Sequence, residues 1–114
     1  MSRRDILALI EDIQEGIYRI LSYTDGKTRK EFLADLRTQD AVVRNIEIIG
    51  EATKKLPVNF MKDHADIPWK AMAGTRDKLV HDYFGVNYDV VWRIIRDDLP
   101  SLLEKINAIL EGLR

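Results

Sequence analysis

The chain has 114 residues, which is enough for one hydrophobic core and too few for two, so we expect a single domain over residues 1–114. It contains no cysteine, which excludes disulfides and thiolate metal sites and fits a reducing compartment, and we expect a cytoplasmic protein. Eighteen basic against nineteen acidic residues give a net charge of -1, which excludes binding to nucleic acid through overall charge. The N-terminus runs directly into an amphipathic pattern, and nothing predicts a signal peptide or a membrane span.

The first half of the chain has the apolar spacing of amphipathic helices. Isoleucines and leucines recur at three- and four-residue steps from Asp5 to Tyr23, which predicts a helix with Ser2 as its N-cap, followed by a turn over residues 23–26. A second helix is predicted to start near Thr28. Residues 39–56 either begin a third helix or continue the second, and we favour one long, kinked helical arm that ends at Pro57.

The second half is predicted to be helical as well. Residues 57–68 form a connector with one short turn around residues 59–62, and a helix starts at Pro68-Trp69 and runs past Gly74 to about Phe84. Gly85 and Asn87 then break the chain. Further helices are predicted from Tyr88 to Leu99 and from Pro100-Ser101 onwards, and no strand pattern appears. The sequence therefore predicts an all-α, antiparallel up-and-down bundle of four main helices with short helical segments.

The segment from Arg76 to Tyr83 concentrates a cation, an imidazole and a phenol within eight residues. On a helix, Asp77 and His81 form an i,i+4 pair, so the carboxylate can hydrogen-bond the imidazole and favour its protonated form, while Arg76 and Tyr83 share another face. Arg76 and His81 lie about 140° apart around that helix, so one copy would surround a ligand poorly. Two copies facing each other could enclose one, which points to a homodimer.

These residue types suit the metal-independent cleavage of RNA. The reaction needs a base for the 2′-hydroxyl, an acid for the departing 5′-oxygen and a cation for the phosphorane. Arg76 could supply the cation, and the His81 side chains of two copies could act as base and acid. Each residue alone has a simpler interpretation: His81 as a helix-end histidine, Arg76 as a structural partner of Glu47 or Glu51, and Tyr83 as an amphipathic core residue.

Taken together, Arg76, His81 and Tyr83 resemble the R-x4-H-x-Y signature of the HEPN ribonucleases, in particular the HepT-like toxin branch. Other segments are similar to that branch in order and spacing, and the resemblance covers nearly the whole chain: residues 44–52, Ile67-Pro68-Trp69, Ala73-Gly74-Thr75-Arg76, His81-Asp82-Tyr83-Phe84 and Val91-Trp92.

The resemblance implies a HEPN-like helical bundle that forms a homodimer and cuts RNA in a shared groove, with Arg76 and His81 as the catalytic pair and no cofactor. It implies the toxin of a type VII-like toxin–antitoxin system, whose partner is a minimal nucleotidyltransferase antitoxin. Tyr83 matches the tyrosine that this antitoxin adenylylates, and the added phosphate would repel RNA. Asp77 would support His81. It departs from the asparagine frequent in this branch, and its carboxylate also repels RNA.

Several other residues have open interpretations. Arg44, Glu47 and Glu51 share one helix face and could either position Arg76 or form a solvated surface. The basic clusters at residues 3–4, 27–30 and 54–55 could extend an RNA track, could meet the antitoxin, or could simply be solvated. We interpret Trp69 as a helix-start anchor, Trp92 as core and His64 as a surface residue with no second histidine at metal-ligand spacing.

One other class of function remains open at this stage. In it the domain is a non-catalytic module that binds nucleotide or RNA, or a structural subunit, with Arg76 and His81 serving only as ligands. A nucleotide-transferring activity of the chain itself lacks support, because there is no glycine-rich phosphate loop and no Gly-Ser followed by paired aspartates. That chemistry would belong to the partner.

Overall fold

The computed structural model describes residues 1–79 and 85–114 and, for residues 76, 78 and 79, the backbone alone. This part of the chain is all-α, as predicted, and has the following helices in order: α1 (Arg3–Thr24), α2 (Arg29–Leu33), α3 (Leu36–Lys54), α4 (Val58–Asp63), α5 (Trp69–Leu79), α6 (Tyr88–Arg93), a π-helical segment (Ile94–Asp98) and α7 (Leu99–Leu113). In the residues described, no helix is both long and apolar enough to cross a membrane.

The predicted start and end of α1 are confirmed. The Ser2 hydroxyl accepts from the Asp5 backbone N–H while the Asp5 carboxylate accepts from the Ser2 N–H, a reciprocal capping box. The helix ends at Thr24, and Gly26 adopts a φ of 73°, a left-handed conformation that glycine adopts without the steric cost of a Cβ. Thr28 then caps α2, as expected.

The prediction of one long arm from Thr28 to Pro57 is wrong, because the chain breaks at residues 34–35. The Asp35 carboxylate accepts from the backbone N–H and the hydroxyl of Thr38 and so caps a new helix, α3. The side-chain amide of the buried Gln39 donates to the carbonyl oxygens of Phe32 and Leu33, which satisfies the end of α2. These side-chain bonds replace the backbone bonds that a continuous helix would have made.

The connector and its neighbours follow the prediction. α4 covers the predicted short turn, and α5 starts at Trp69 and continues through Gly74. Its predicted extension from residue 80 to Phe84 lies outside the described residues. Gly85 has a φ of 99°, and the Asn87 side chain caps α6 by accepting from the Val90 N–H.

The C-terminal helices are continuous, contrary to the predicted break between Leu99 and Pro100. α6 passes through the π-helical segment into α7, and the Leu99 N–H donates to the Ile94 carbonyl five residues earlier. Proline lacks an N–H, and its ring crowds the carbonyl four residues before it. The wider π-helical turns before Pro100 accommodate that ring, so the helix changes its winding instead of ending.

The core lies between α1, α3 and the C-terminal helices. Its centre consists of fully buried side chains: Ile10, Ile13, Ile17, Ile20, Phe32, Val42, Val91 and Ile106. α1 and α7 run antiparallel, since the Arg3 side chain donates to the carbonyls of Gly112 and Leu113. Trp92 is buried and stacks on Phe32 with ring centroids 5.3 Å apart, which confirms it as core.

Candidate functional site

The motif helix α5 is fixed at its N-terminal end by a tryptophan. Trp69 is only 6% exposed, and its indole N–H donates to the carbonyl oxygens of Met61 (3.2 Å) and His64 (3.0 Å) at the end of α4. The ring also lies 6.1 Å from that of Phe60. The prediction that Trp69 anchors the start of this helix is therefore confirmed.

Two of the four predicted site residues lie on the described part of α5. Arg76 is in the helix, where its backbone alone is described, and the Asp77 side chain is exposed. His81 and Tyr83 lie outside the described residues. The pairing of Asp77 with His81, the shared face of Arg76 and Tyr83, and the catalytic role of Arg76 and His81 therefore stay predictions.

α5 packs closely against α3 at Gly50. A Cβ on this residue would lie 3.5 Å from the Met72 carbonyl oxygen and 3.6 Å from that of Ala73, so the backbones of the two helices approach almost to van der Waals distance. Met72, one turn after Trp69, is buried in the same contact region. This packing sets which face of α5 turns away from the core, the face that carries Asp77.

The charged face of α3 forms pairs within its own helix. Arg44 lies 3.8 Å from Glu47, which is half-buried, and Lys54 lies 3.5 Å from the exposed Glu51, both at i,i+3 spacing. Such pairs stabilise a helix by only about 0.2–0.5 kcal/mol. Both interpretations of this face, a solvated surface and a role in positioning Arg76, stay predictions.

A cavity of about 560 Å³ lies between α3, α5 and the C-terminal helices. Gly74 and Thr75, the residues just before Arg76, line one wall, and core side chains such as Ile49 and Ile95 line the others. The described walls are mainly apolar, and their charged residues are Lys70, Arg93 and Asp98.

His64 differs from its prediction as a surface residue. Its side chain is half-buried, and its ring packs on that of Phe60 with centroids 4.7 Å apart. His64 follows the last residue of α4, and Phe60 lies four residues earlier in that helix. Among the residues described, no three histidines, aspartates or glutamates come together as a metal site.

The structure also brings together three lysines that the sequence did not connect. Lys54 at the end of α3, Lys62 in α4 and Lys70 at the start of α5 line one open groove. They are eight residues apart in the chain, and each belongs to a different helix, so no local motif marks them as a group. Of the three, only Lys54 belongs to a basic pair in the sequence, Lys54-Lys55.

Comparison with known proteins gives consistent matches along the chain. Residues 13–109 match the family model described as "Ribonuclease HepT-like". The chain is 46% identical over 100 residues to "Probable ribonuclease HepT" of Thermococcus cleftensis, covering 88% of this chain and 91% of the relative. It is 42% identical over 113 residues to "Putative RNase MJ0127" of Methanocaldococcus jannaschii, covering 99% and 93%. No solved structure matches the chain.

Proposed function

Since the chain belongs to the HepT-like ribonuclease family, we propose that it is the ribonuclease toxin of a type VII-like toxin–antitoxin system and cuts RNA without a metal ion. The observation that carries this proposal is the spacing of Arg76, His81 and Tyr83 inside the segment that matches the family model. Arg76 stands on α5, a helix anchored by Trp69, with the exposed Asp77 beside it.

In this mechanism the RNA supplies its own nucleophile. A neutral His81 takes the proton of the 2′-hydroxyl, whose oxygen attacks the neighbouring phosphorus. The bond from phosphorus to the 5′-oxygen breaks, and a protonated His81 gives its proton to that oxygen. The products are a 2′,3′-cyclic phosphate and a 5′-hydroxyl.

The two proton transfers require two protonation states of histidine at once. We propose that a homodimer supplies them, with His81 of one copy as base and His81 of the second copy as acid, each worth about 10²- to 10⁴-fold in rate. Arg76 keeps its charge at all relevant pH values, and its planar guanidinium can bind two phosphorane oxygens at once. Asp77 would hold His81 in position, while its charge repels the RNA backbone.

The proposed partner is a minimal nucleotidyltransferase antitoxin. It would transfer the adenylyl group of ATP to the Tyr83 phenol oxygen, with release of pyrophosphate. The transferred phosphate adds negative charge seven residues from Arg76, two helical turns along the same predicted face. The modified protein would bind RNA weakly, and the toxin would therefore be inactive.

The first test is RNA cleavage in EDTA by the purified protein and its His81→Ala variant, with analysis of the new ends. We expect cleavage that survives chelation, leaves cyclic phosphate ends and is lost in the variant. Binding without cleavage across a mixed RNA pool would instead favour a non-catalytic binding module.

The modification has a separate test. After incubation with the antitoxin and ATP, intact-mass analysis should show adenylyl adducts, and a Tyr83→Phe variant should show none. An unmodified mass in both proteins would contradict this regulation and leave the cleavage result untouched.

A further inference from the structure

The lysine groove has an apolar floor and a basic rim. We define it by its floor residues Val58, Met61 and Ile67 and its rim residues Lys54, Lys62 and Lys70, and its volume is about 920 Å³. Val58 is 61% exposed, which is unusual for an aliphatic side chain of that size in this protein. The groove is an open surface feature, and its described lining comes from α3, α4, the connector and the first half of α5.

The charge of the groove is of one sign. The described residues that line it include three lysines and no carboxylate. Glu51 pairs with Lys54, and Asp63 and Asp66 lie on the same connector without lining the groove. Within the described part of the chain, Lys62 and Lys70 form no ion pair and no side-chain hydrogen bond. Two of the three cations are therefore available to a ligand.

Lys70 has no evident structural reason for its charge. Lys54 and Lys62 lie in the last turns of their helices, where a cation is favoured by the helix dipole. Lys70 is in the first turn of α5, where a cation is disfavoured. An exposed lysine at this place is better explained by an external anion than by the stability of its own helix.

The polar groups beneath the rim are already occupied. The Thr53 hydroxyl donates to the Ile49 carbonyl at 2.7 Å, and the Trp69 indole N–H donates to two carbonyls of the connector. The lysines thus provide the free side-chain donors of the described lining. Lysines on a rim contact phosphates and carry no base specificity, because sequence is read by hydrogen bonds to base edges.

The groove continues towards the predicted site along α5. Lys70 and Ala73 line the groove, and Arg76 follows Ala73 by three residues, so it stands about one helical turn further on. Six residues separate Lys70 from Arg76, which corresponds to about 9 Å along the helix axis. A ligand with regularly spaced anions could therefore reach from the groove to Arg76.

We propose that the lysine groove binds the backbone of the RNA strand beside the cleavage site, without regard to its sequence. The apolar floor, on which Val58 is exposed, would lie under sugars and base faces, while the lysine rim contacts the phosphates. This inference rests on the proposed ribonuclease function and assigns to it a substrate track of three lysines.

The experiment measures RNA binding in a His81→Ala background, which prevents cleavage. A Lys54→Gln/Lys62→Gln/Lys70→Gln variant is compared with a charge-matched control, Arg19→Gln/Arg37→Gln/Arg114→Gln, which removes three exposed cations outside the groove and outside the basic clusters of the sequence. Fluorescence anisotropy gives Kd for labelled single-stranded RNAs of two unrelated sequences, over a salt series from about 50 to 200 mM.

We expect the groove variant to lose affinity for both RNAs equally. Each phosphate contact on a single strand contributes about 0.7 to the slope of log K against log salt, or about fivefold in affinity at about 0.1 M salt. The triple variant should therefore bind about a hundredfold more weakly, with a slope shallower by about 2. The control should bind like the parent, and Lys→Arg replacements in the groove should restore binding.

Three results would overturn the inference. Equal affinity of the groove variant and the parent would leave the lysines to another ligand, such as an acidic protein segment. An equal loss of RNA affinity in the control would show that the effect comes from net charge and not from the groove. No binding by the parent overturns the groove alone if the unsubstituted protein cleaves RNA, and overturns the ribonuclease proposal as well if it does not.

Discussion

The helices α1 and α5 are held in different ways. α1 has 22 residues and a reciprocal capping box, and it buries an isoleucine at nearly every turn: Ile10, Ile13, Ile17 and Ile20. α5 buries only Trp69 and Met72 among its described side chains, both in its first half, and Asp77 is exposed. One helix is packed along its length, whereas the described buried side chains of the other lie near its start and its second half carries the exposed Asp77.

This difference separates stability from chemistry. A helix that is buried along its length contributes to the free energy of unfolding wherever it is changed. A helix anchored at one end can carry polar residues on its other half, because little of the core depends on them. We therefore expect substitutions at the predicted site to reduce cleavage. Substitutions in the packed helices that form the core, here called the frame, or at Trp69, the anchor of α5, should reduce stability.

The largest effect is expected at Arg76. Arg76→Ala removes the only cation that the proposed mechanism places on the phosphorane, so cleavage should fall by about a hundredfold or more. Arg76→Lys keeps a charge without the planar fork and should recover only part of the rate. Single-turnover cleavage of a labelled RNA measures both, and thermal unfolding should show that the variants are folded.

An exposed arginine elsewhere provides the control for this prediction. Arg37→Ala on α3 removes the same charge outside the proposed site and should leave the rate unchanged within about twofold. If Arg76→Ala cleaved as fast as this control, Arg76 would not belong to the catalytic machinery.

A smaller effect, on stability alone, is expected at Gly16 in the frame. A Cβ on this residue would lie 2.8 Å from Cγ1 of the buried Ile49, closer than real contacts allow. Crowding of a packed core costs about 1–3 kcal/mol, and the better helix propensity of alanine offsets about 1 kcal/mol of this. Urea unfolding of Gly16→Ala should therefore show a net loss of stability of up to about 2 kcal/mol.

Gly112 is the matched glycine for that test. It also lies in a helix, but a Cβ there would meet nothing within 4 Å. Gly112→Ala should be neutral or slightly stabilising, by less than about 1 kcal/mol. The close approach of α1 to α3 would be disproved as a constraint if both alanine variants changed stability alike.

Much of the frame was predictable from the sequence because local rules decide it. The apolar spacing of α1, the caps at Ser2 and Thr28, and the turn at Gly26 depend on residues within a few positions of one another. The break between α2 and α3 was missed because the bonds of Asp35 and Gln39 compete with backbone bonds that the apolar pattern equally permits. The sequence predicts a helix start at Pro100 after a break, whereas in the structure a change of helix winding accommodates this proline.

The candidate site, too, was predictable from the sequence only in part. Arg76 and His81 were recognisable because their spacing is local, and the structure confirms that Arg76 stands in a helix that starts at Trp69. The lysine groove was not predictable, because Lys54, Lys62 and Lys70 become neighbours only when three helices pack together. Sequence spacing identifies chemistry carried by one helix, and the fold is needed to see chemistry shared between helices.

The free energy of unfolding should fall by about 1 kcal/mol or more when the anchor of α5 is weakened. Trp69→Phe keeps a buried aromatic ring but removes the indole N–H that bonds the carbonyls of Met61 and His64. Each carbonyl still accepts one backbone N–H, so the lost hydrogen bond should cost about 1 kcal/mol, and the smaller phenyl ring adds the cost of the buried volume that it leaves empty. Urea unfolding measures this change.

The same variant also tests whether Trp69 positions α5 for RNA cleavage. Because the anchor positions α5, Trp69→Phe should slow RNA cleavage more than Gly16→Ala does, even where the two variants lose similar stability. The opposite ranking of the two rates would mean that the placement of α5 depends on the frame and not on its tryptophan.

The smallest effect concerns pH and the cap of α3. The hydroxyl and the backbone N–H of Thr38, with Lys27, lower the pKa of Asp35 from 3.8 to about 2. A carboxyl group whose pKa is lowered in the folded state stabilises the protein above its unfolded pKa and loses that contribution as the pH falls from about 4 to about 2. Asparagine caps helices as well as aspartate but does not titrate, so Asp35→Asn should lose less of its melting temperature over this interval than the unsubstituted protein.

Asp35→Ala removes the cap itself and should melt a few degrees lower at neutral pH. Identical acid-induced losses in the unsubstituted protein and in Asp35→Asn would show that the cap at the break between α2 and α3 does not depend on the charge of Asp35.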